Sequence, residues 1–403
     1  QVNGHSEEEI ARAYAKIGVA KEKPLMIIAK TVKGKGVSFL EDKDGWHGKA
    51  LDPHDFERAL KGLEPLERSV RAAFAPPPQD EPQFEKRGTK RIQFDFDQAA
   101  ATREAYGVAL VALARTQANL VVLDAEGSNS TYAQTFKQEY PDRFFEMYIA
   151  EQNMVGAAVG LAQRGKVPFV STFAAFFTRA ADQIRMAAYS KANVTFVGSH
   201  CGVSIGEDGP SQMGLEDICL FRSVFASVVL YPADARATVA LIQAAGAFKG
   251  LVYLRTTRAK TPPLYGADEE FSIGGSKTVR GSHHDRYTIV TAGITLFEAL
   301  EAADELKKQG IFVRVIDAYS IKPLDERTLF NAARETRAMI TVEDHYAAGG
   351  LGEAVTSALA KMRIPVYCLA VIRRPRSGAK SELLDYEAIS KTAIIRTILE
   401  LKN

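Results

Sequence analysis

Short apolar runs alternate with helical patterns along most of the chain, which predicts an α/β protein of successive doubly wound, mostly parallel sheets. Two breaks organise that alternation. "FAPPPQDEPQFEKRGTK", Phe74 to Lys90, is rich in proline and charge, lacks periodicity and reads as a linker, and a loop around "PPLYGADEEF" interrupts the rhythm further on. The 403 residues exceed one ordinary core, and the breaks divide them into a first segment 1–73, a linker 74–97, an α/β domain 98–265 and a smaller α/β domain 275–403.

Taken in order, "SEEEIARAYAKIG" predicts a helix, and "LMIIAKTV" after it predicts a strand leading into a glycine and lysine turn. Such a strand needs neighbours to cover it, so the opening reads like the tail of a domain whose earlier part is absent. In the second domain the strand candidates are "NLVVLDAE", "VPFVSTF", "NVTFVGSH", "ASVVLYP" and "GLVYLR", each beside an amphipathic or alanine-rich stretch. A second cycle runs through "YTIVTAG", "TLFEALEAADELKKQG", "IFVRVIDAY", "DERTLFNAARE", "AMITVEDHY", "GEAVTSALAKM" and "PVYCLAV". Ser199 to Met213 is too rich in glycine and polar residues for helix or strand, which marks a functional loop.

Composition excludes several classes. Apolar residues make up 46% and charged residues 25%, as in a soluble globular protein. Lys and Arg total 51 against 49 acidic residues, so no overall field draws the chain to nucleic acid or to a membrane, and any anion is recognised locally. No apolar run approaches spanning length, and "QVNGHSEEE" is too polar for a signal peptide. Cys201, Cys219 and Cys368 lack CxxC spacing, which argues against a zinc site or a disulfide framework and fits a reducing, cytoplasmic location.

Ligands of open α/β sheets gather beyond the carboxyl ends of strands. Glu126 and Ser130 lie just past one strand, His200, Asp208 and Gln212 past another, and Arg255 and Arg258 past a third. Two arginines and a histidine there suit a phosphate group, although either arginine could equally pair with a carboxylate. Phe173, Phe176 and Phe177 in "STFAAFFTRAADQIRMAA" have the spacing of core aromatics. Lys33 and His47 sit in glycine-bounded turns of "KTVKGKGVSFLEDKDGWHGK". Glu151, in "YIAEQNMVGAAVGLA", opens an apolar helix, either to complement its dipole or as an acid kept protonated by greasy surroundings. "AAGGLGEAV" lacks dinucleotide-fingerprint spacing, so Gly349, Gly350 and Gly352 are assigned to a tight strand-to-helix turn.

Together, "IAEQNMV", "STFAAFFTRAADQIRMAA", "GSHCGVSIGEDGPSQM", "TVEDHY" and "KGKG…WHGK" resemble transketolase, the thiamine diphosphate enzyme, along the whole chain. The resemblance implies a diphosphate-binding domain, of which residues 1–73 would be the remnant, then a pyrimidine-binding domain and a C-terminal domain. It also implies reversible transfer of a two-carbon ketol unit from a ketose phosphate to an aldose phosphate in pentose phosphate metabolism. In that reading Glu151 is a protonated acid bonded to a ring nitrogen of the aminopyrimidine, Phe176 stacks on that ring, and Lys33, Glu126 and Gln212 lie beside the cofactor. His47 assists catalysis near the substrate hydroxyls, Asp208 orients a sugar hydroxyl, and Arg103, Ser130, His200 and Arg258 form the phosphate pocket.

The family's Gly-Asp-Gly motif and downstream Asn, which ligate Mg or Ca, do not occur here, so no metal ligand is assigned and this chain alone is expected to be incomplete. Truncation of a longer parent or a separate N-terminal chain is expected, with a homodimer as the family's assembly. Alternative readings are a non-catalytic transketolase-like subunit, or another thiamine enzyme such as deoxyxylulose phosphate synthase.

Overall fold

The computed structural model describes residues 1–17, 25–46, 48–63 and 94–402. The chain divides into two compact units, Gln1–Glu81 and Pro82–Asn403. The stretch read as a linker, 74–90, lies outside the described residues.

In the first unit Ser6 caps the helix Glu7–Ala15. Its hydroxyl accepts the Glu9 amide at 3.3 Å, and Glu7, Glu8 and Glu9 place negative charge at the positive end of the dipole. Val2–Asn3 pairs in parallel with Ala29–Lys30. The strand expected over Leu25 to Val32 is therefore shorter than its apolar run. The partner offers two residues, and Leu25, Met26, Ile28 and Val32 stay exposed. A second helix, Pro53–Gly62, starts on Asp52, whose carboxylate accepts the Asp55 amide at 2.8 Å.

The second unit is α/β as predicted. β1 (Leu120–Asp124), β2 (Phe144–Glu146), β3 (Val167–Phe173), β4 (Val194–Ser199), β5 (Val228–Leu230) and β6 (Leu251–Arg255) run parallel to one another. Each of β1, β4, β5 and β6 is buried at every position, because helices cover both faces and the apolar runs need not alternate. β7 (Lys277–Arg280), β8 (Tyr287–Thr291) and β9 (Val313–Asp317) open a second sheet, completed by β11 (Ala338–Tyr346) and β12 (Val366–Val371) in the order β7–β9–β8–β11–β12. Only β7 is antiparallel within it.

Between β9 and β11 the chain makes a strand that the hydrophobic pattern does not announce. β10 (Ser320–Lys322) returns to the first sheet and pairs antiparallel with β5, with Ser320 opposite Leu230. The first sheet thus has seven strands, β10–β5–β6–β4–β3–β1–β2. β2 and β7 are likewise too short or too polar to read from periodicity.

Ser199 to Met213 departs from the expected irregular loop by winding into two 3₁₀ turns, Val203–Asp208 and Pro210–Gln212. Gly202, Gly206 and Gly209 allow this with φ of 75°, 83° and 85°. The apolar residues of the loop, Val203, Ile205, Met213 and Leu215, are buried in one cluster with Ile289, Leu296 and Val342 of the second sheet's layer. The glycine turn before the helix Leu351–Ala358 is a helix start, as read from sequence. Gly349 has φ of 71°, and the Glu343 carboxylate accepts the amides of Leu351 at 2.5 Å and Gly352 at 2.8 Å.

Phe177 is fully buried and sits edge-on to Phe196, Phe221 and Tyr253, with ring centroids at 5.7, 5.6 and 6.1 Å. Phe177→Ala is expected to cost about 3–5 kcal/mol, read from the denaturant midpoint at unchanged slope. A loss under about 1 kcal/mol would mean that this cluster is not packed as described.

Candidate active site

Because β1 to β6 are parallel, their carboxyl ends share one edge, and the polar residues singled out in the sequence collect along it. At the end of β1 the buried Asp124 accepts from Gly127 N and Thr131 Oγ1, both at 2.7 Å, and from Ser171 Oγ at 2.9 Å. Burial raises this carboxyl to about 6 against the pull of those bonds. The knot shapes the turn that presents Ser130. Three non-glycine residues just past β1, β2 and β4 of the same sheet adopt left-handed backbone: Glu126 at φ 55°, Tyr148 at 54° and His200 at 57°. Such strain along a sheet edge is a mark of functional sites.

Arg103 is the second residue of the helix Thr102–Ala114. Thr102 Oγ1 accepts the Thr257 amide at 2.8 Å, which ties this helix start to the end of β6. Arg103 then donates to Ser130 O at 2.9 Å and reaches His200 Nε2 at 3.3 Å. A guanidinium can only donate, so Nε2 must be the acceptor and the imidazole proton sits on Nδ1, 2.9 Å from Ser199 Oγ. Burial, then the charges of Arg103 and Arg258, push the His200 imidazolium down to about 3. Arg258 Nη1 lies 3.1 Å from Asp208 Oδ1 and donates to Ile205 O at 2.9 Å. Arg103, Ser130, His200, Asp208 and Arg258 are therefore neighbours.

Glu151 opens the helix Glu151–Gln163 and is 4% exposed, so the burial expected of it is present. Its surroundings differ from the apolar pocket inferred from sequence, because Arg179 Nη1 donates to Glu151 Oε1 at 2.5 Å. Arg179 was not among the sequence candidates. Its signal was the spacing, since in the 3₁₀ segment Ala174–Ala180 residues three apart share a face, which sets Arg179 over Phe176 at 4.4 Å. Phe176 stacks on Phe173 (5.3 Å, 5° between planes), and Phe173 stacks on His200 (3.8 Å, 12°). A continuous ladder thus runs from Glu151 through Arg179, Phe176, Phe173 and His200 to Arg103. Of the three phenylalanines, only Phe177 is the fully buried core residue that the spacing suggested. Gln212 ends the second 3₁₀ turn of the loop, which packs on Ala174–Ala180.

Other expectations fall elsewhere. Arg255 is no phosphate ligand: it is completely buried, with Nε 2.7 Å from Asp217 Oδ2. Glu126 is exposed, and its backbone amide donates to Glu146 Oε1 at 2.9 Å. Lys33 lies exposed in the first unit, where its carbonyl accepts the Asp42 amide at 3.0 Å. His47 lies outside the described residues. The one cluster of three potential metal ligands among the described residues, Asp52, His54 and Asp55, is at a helix start in the first unit, and Asp52 already caps that helix.

Residues 98–263 match the family described as transketolase, pyrimidine binding domain, and residues 276–394 match transketolase, C-terminal domain. A split-gene transketolase solved as an inactive β4 tetramer is 38% identical, with a TM-score of 0.69 over 74% of this chain and 97% of that one. The chain belongs to the transketolase family. Transketolase-like protein 2 of Mus musculus is 48% identical and the transketolase of Homo sapiens 47%, each over 98% of this chain. The chain spans 64% of the length of these transketolase relatives.

Among the described residues no helix is long and apolar enough to cross a membrane, and Cys201, Cys219 and Cys368 are all unpaired thiols.

For His200 the unfolded chain takes up its proton near 6.5 and the folded chain only near 3. The neutral ring therefore stabilises the fold above 6.5, and that contribution is lost as pH falls through the interval. Histidine ¹⁵N spectra should show His200 neutral and protonated on Nδ1 from about pH 8 down to about pH 5. A midpoint near the ordinary histidine value would contradict the geometry.

Proposed function

We propose that this chain supplies the pyrimidine-binding and C-terminal domains of a transketolase that moves a two-carbon ketol unit reversibly from a ketose phosphate to an aldose phosphate. The observation that carries this reading is the pairing of a buried carboxyl with an aromatic face on the same rim as a phosphate-sized group of donors. Glu151, 4% exposed, and the half-buried Phe176 fit a flat heterocycle with ring nitrogens, the group that thiamine diphosphate would present. When bound, that cofactor supplies the carbanion chemistry.

The residues of the chain bind and orient. Glu151 offers its carboxyl to a ring nitrogen and Phe176 offers a face for stacking, once the half-exposed Arg179 side chain swings off both. Gln212 lies alongside on the adjoining turn. Arg103 and Arg258 hold the substrate phosphate with forked, permanently charged donors, and Ser130 lines the same pocket. His200, neutral, has its one acceptor nitrogen Nε2 engaged by Arg103, so it takes a hydrogen bond from a sugar hydroxyl once Arg103 turns to the phosphate, and Asp208 accepts from another. For Lys33, Glu126 and His47 the support is the family motif alone, with roles beside the cofactor for the first two and near the substrate hydroxyls for His47. A divalent metal, Mg or Ca, would need hard oxygen ligands from outside the residues assigned here.

The same geometry supports assembly with another chain, either a second copy or a complementary N-terminal chain. Tyr148 and Ile149, immediately before Glu151, are 67% and 72% exposed, and Met186 and Tyr189 on the helix Ala181–Tyr189 are exposed as well. Apolar side chains grouped beside a site in this way mark an interaction surface.

The test is transfer from a xylulose phosphate to a ribose phosphate with thiamine diphosphate and magnesium, using the chain by itself and with a transketolase N-terminal chain added. Glu151→Gln should lower turnover of the active assembly by about a hundredfold or more. Turnover retained within about twofold would remove Glu151 from the catalytic role, and activity with pyruvate in place of the ketose phosphate would favour a different thiamine enzyme.

A further inference from the structure

The loop that carries His200, Asp208 and Gln212 belongs to the pyrimidine-binding match, yet its anchor lies in the other domain. At the carboxyl end of β11, Asp344 is fully buried and its Oδ1 accepts the Val203 amide at 2.7 Å. Gly202 approaches the same carboxylate so closely that a Cβ there would stand 1.9 Å from Asp344 Oδ2, and its φ of 75° disfavours any side chain. The neck of the loop is closed on itself: Gly214 N donates to His200 O at 3.1 Å and Gly202 N to Gly214 O at 2.8 Å. Arg255 Nη2 then donates both to Gly214 O at 2.8 Å and to Asp344 O at 2.9 Å, and Tyr346 N donates to Leu215 O at 3.3 Å.

Apolar contacts add burial but little direction. The burial of Val203, Ile205 and Met213 is a non-directional contribution, whereas the charged hydrogen bond to the Val203 amide is directional and fixes the rotation of the turn. That rotation decides where the neighbouring His200 and Asp208 point. We propose that Asp344, in the C-terminal domain, is a positioning residue that clamps Val203 and thereby sets His200 and Asp208 against a phosphorylated sugar. The placement rests on the function proposed above; the clamp itself does not.

The test is amide hydrogen exchange on the whole chain, comparing the variants Asp344→Ala, Asp344→Asn and Gly202→Ala. Asp344→Ala should speed exchange across Val203 to Gln212 by about tenfold, while peptides from β3 keep their protection. Asp344→Asn retains an acceptor oxygen and should restore protection to within about twofold of the natural chain. Should Asp344→Ala fail to fold, Gly202→Ala carries the same test from the loop side, since its Cβ displaces the carboxylate from Val203. Unchanged exchange in Val203 to Gln212, or equal acceleration everywhere, would overturn the clamp. In the active assembly Asp344→Ala should raise KM for the sugar phosphate about tenfold with kcat within about twofold. A released loop with unchanged KM would overturn the positioning role. An inactive natural assembly would instead fail the proposed function and leave the exchange result standing.

Discussion

A guanidinium with no exposed surface has no water to fall back on, so Arg255 depends on the bonds made by its Nε and Nη2, while its buried Nη1 has no hydrogen-bond partner among the described residues. Asp217 meets it with both carboxylate oxygens, at 2.7 and 3.2 Å, and Tyr253 donates to the same carboxylate at 2.5 Å. Burial alone would raise Asp217, but Arg255 and His345 outweigh it and hold the carboxyl below its ordinary range. The remaining Arg255 bonds go to backbone carbonyls at the neck of the Ser199–Met213 loop and at the end of β11. One side chain thus fixes three pieces of chain that come from different layers. Such a pair contributes little net stability compared with apolar packing, but breaking it strands a charge, and that penalty ties the pieces together.

Upon this frame the site is arranged as a gradient. Cationic groups stand at one end, where Arg103 and Arg258 flank an imidazole that burial first, and then their charges, keep uncharged. Aromatic rings occupy the middle, and a single buried carboxyl stands at the other end with Arg179 as its present partner. Arg179 closes off the carboxyl end, since its guanidinium donates to Glu151 and lies over the Phe176 ring.

Much of this was legible in the sequence. The alternation that predicts a parallel sheet located β1, β3, β4, β5, β6, β8, β9 and β11, because strands buried on both faces leave an unbroken apolar run, and it located the partly exposed β12 as well. Of the residues that the strand-end rule points to, Ser130, His200, Asp208 and Arg258 converge, and Arg103, which only the family resemblance names, joins them from a helix start. What stayed hidden has physical reasons. β10 is three residues long, and its place in a distant sheet depends on tertiary packing rather than on local pattern. The fate of Arg255 depended on Asp217, thirty-eight positions away, which no local spacing links. Arg179 follows aromatics whose spacing suggests a helical period, whereas its segment winds with the tighter 3₁₀ period that brings it over Phe176.

The return of Ser320–Lys322 to the edge of the first sheet has a consequence for the evolution and handling of these domains. That short piece shields β5, whose amides and carbonyls would otherwise offer a bare sheet margin to any passing strand. Splitting the polypeptide in the Pro263 to Ser272 connection would therefore separate neither a clean module nor a harmless one. The upstream fragment would carry an adhesive border, and a gene break tolerated at that place would have to keep both products in permanent company.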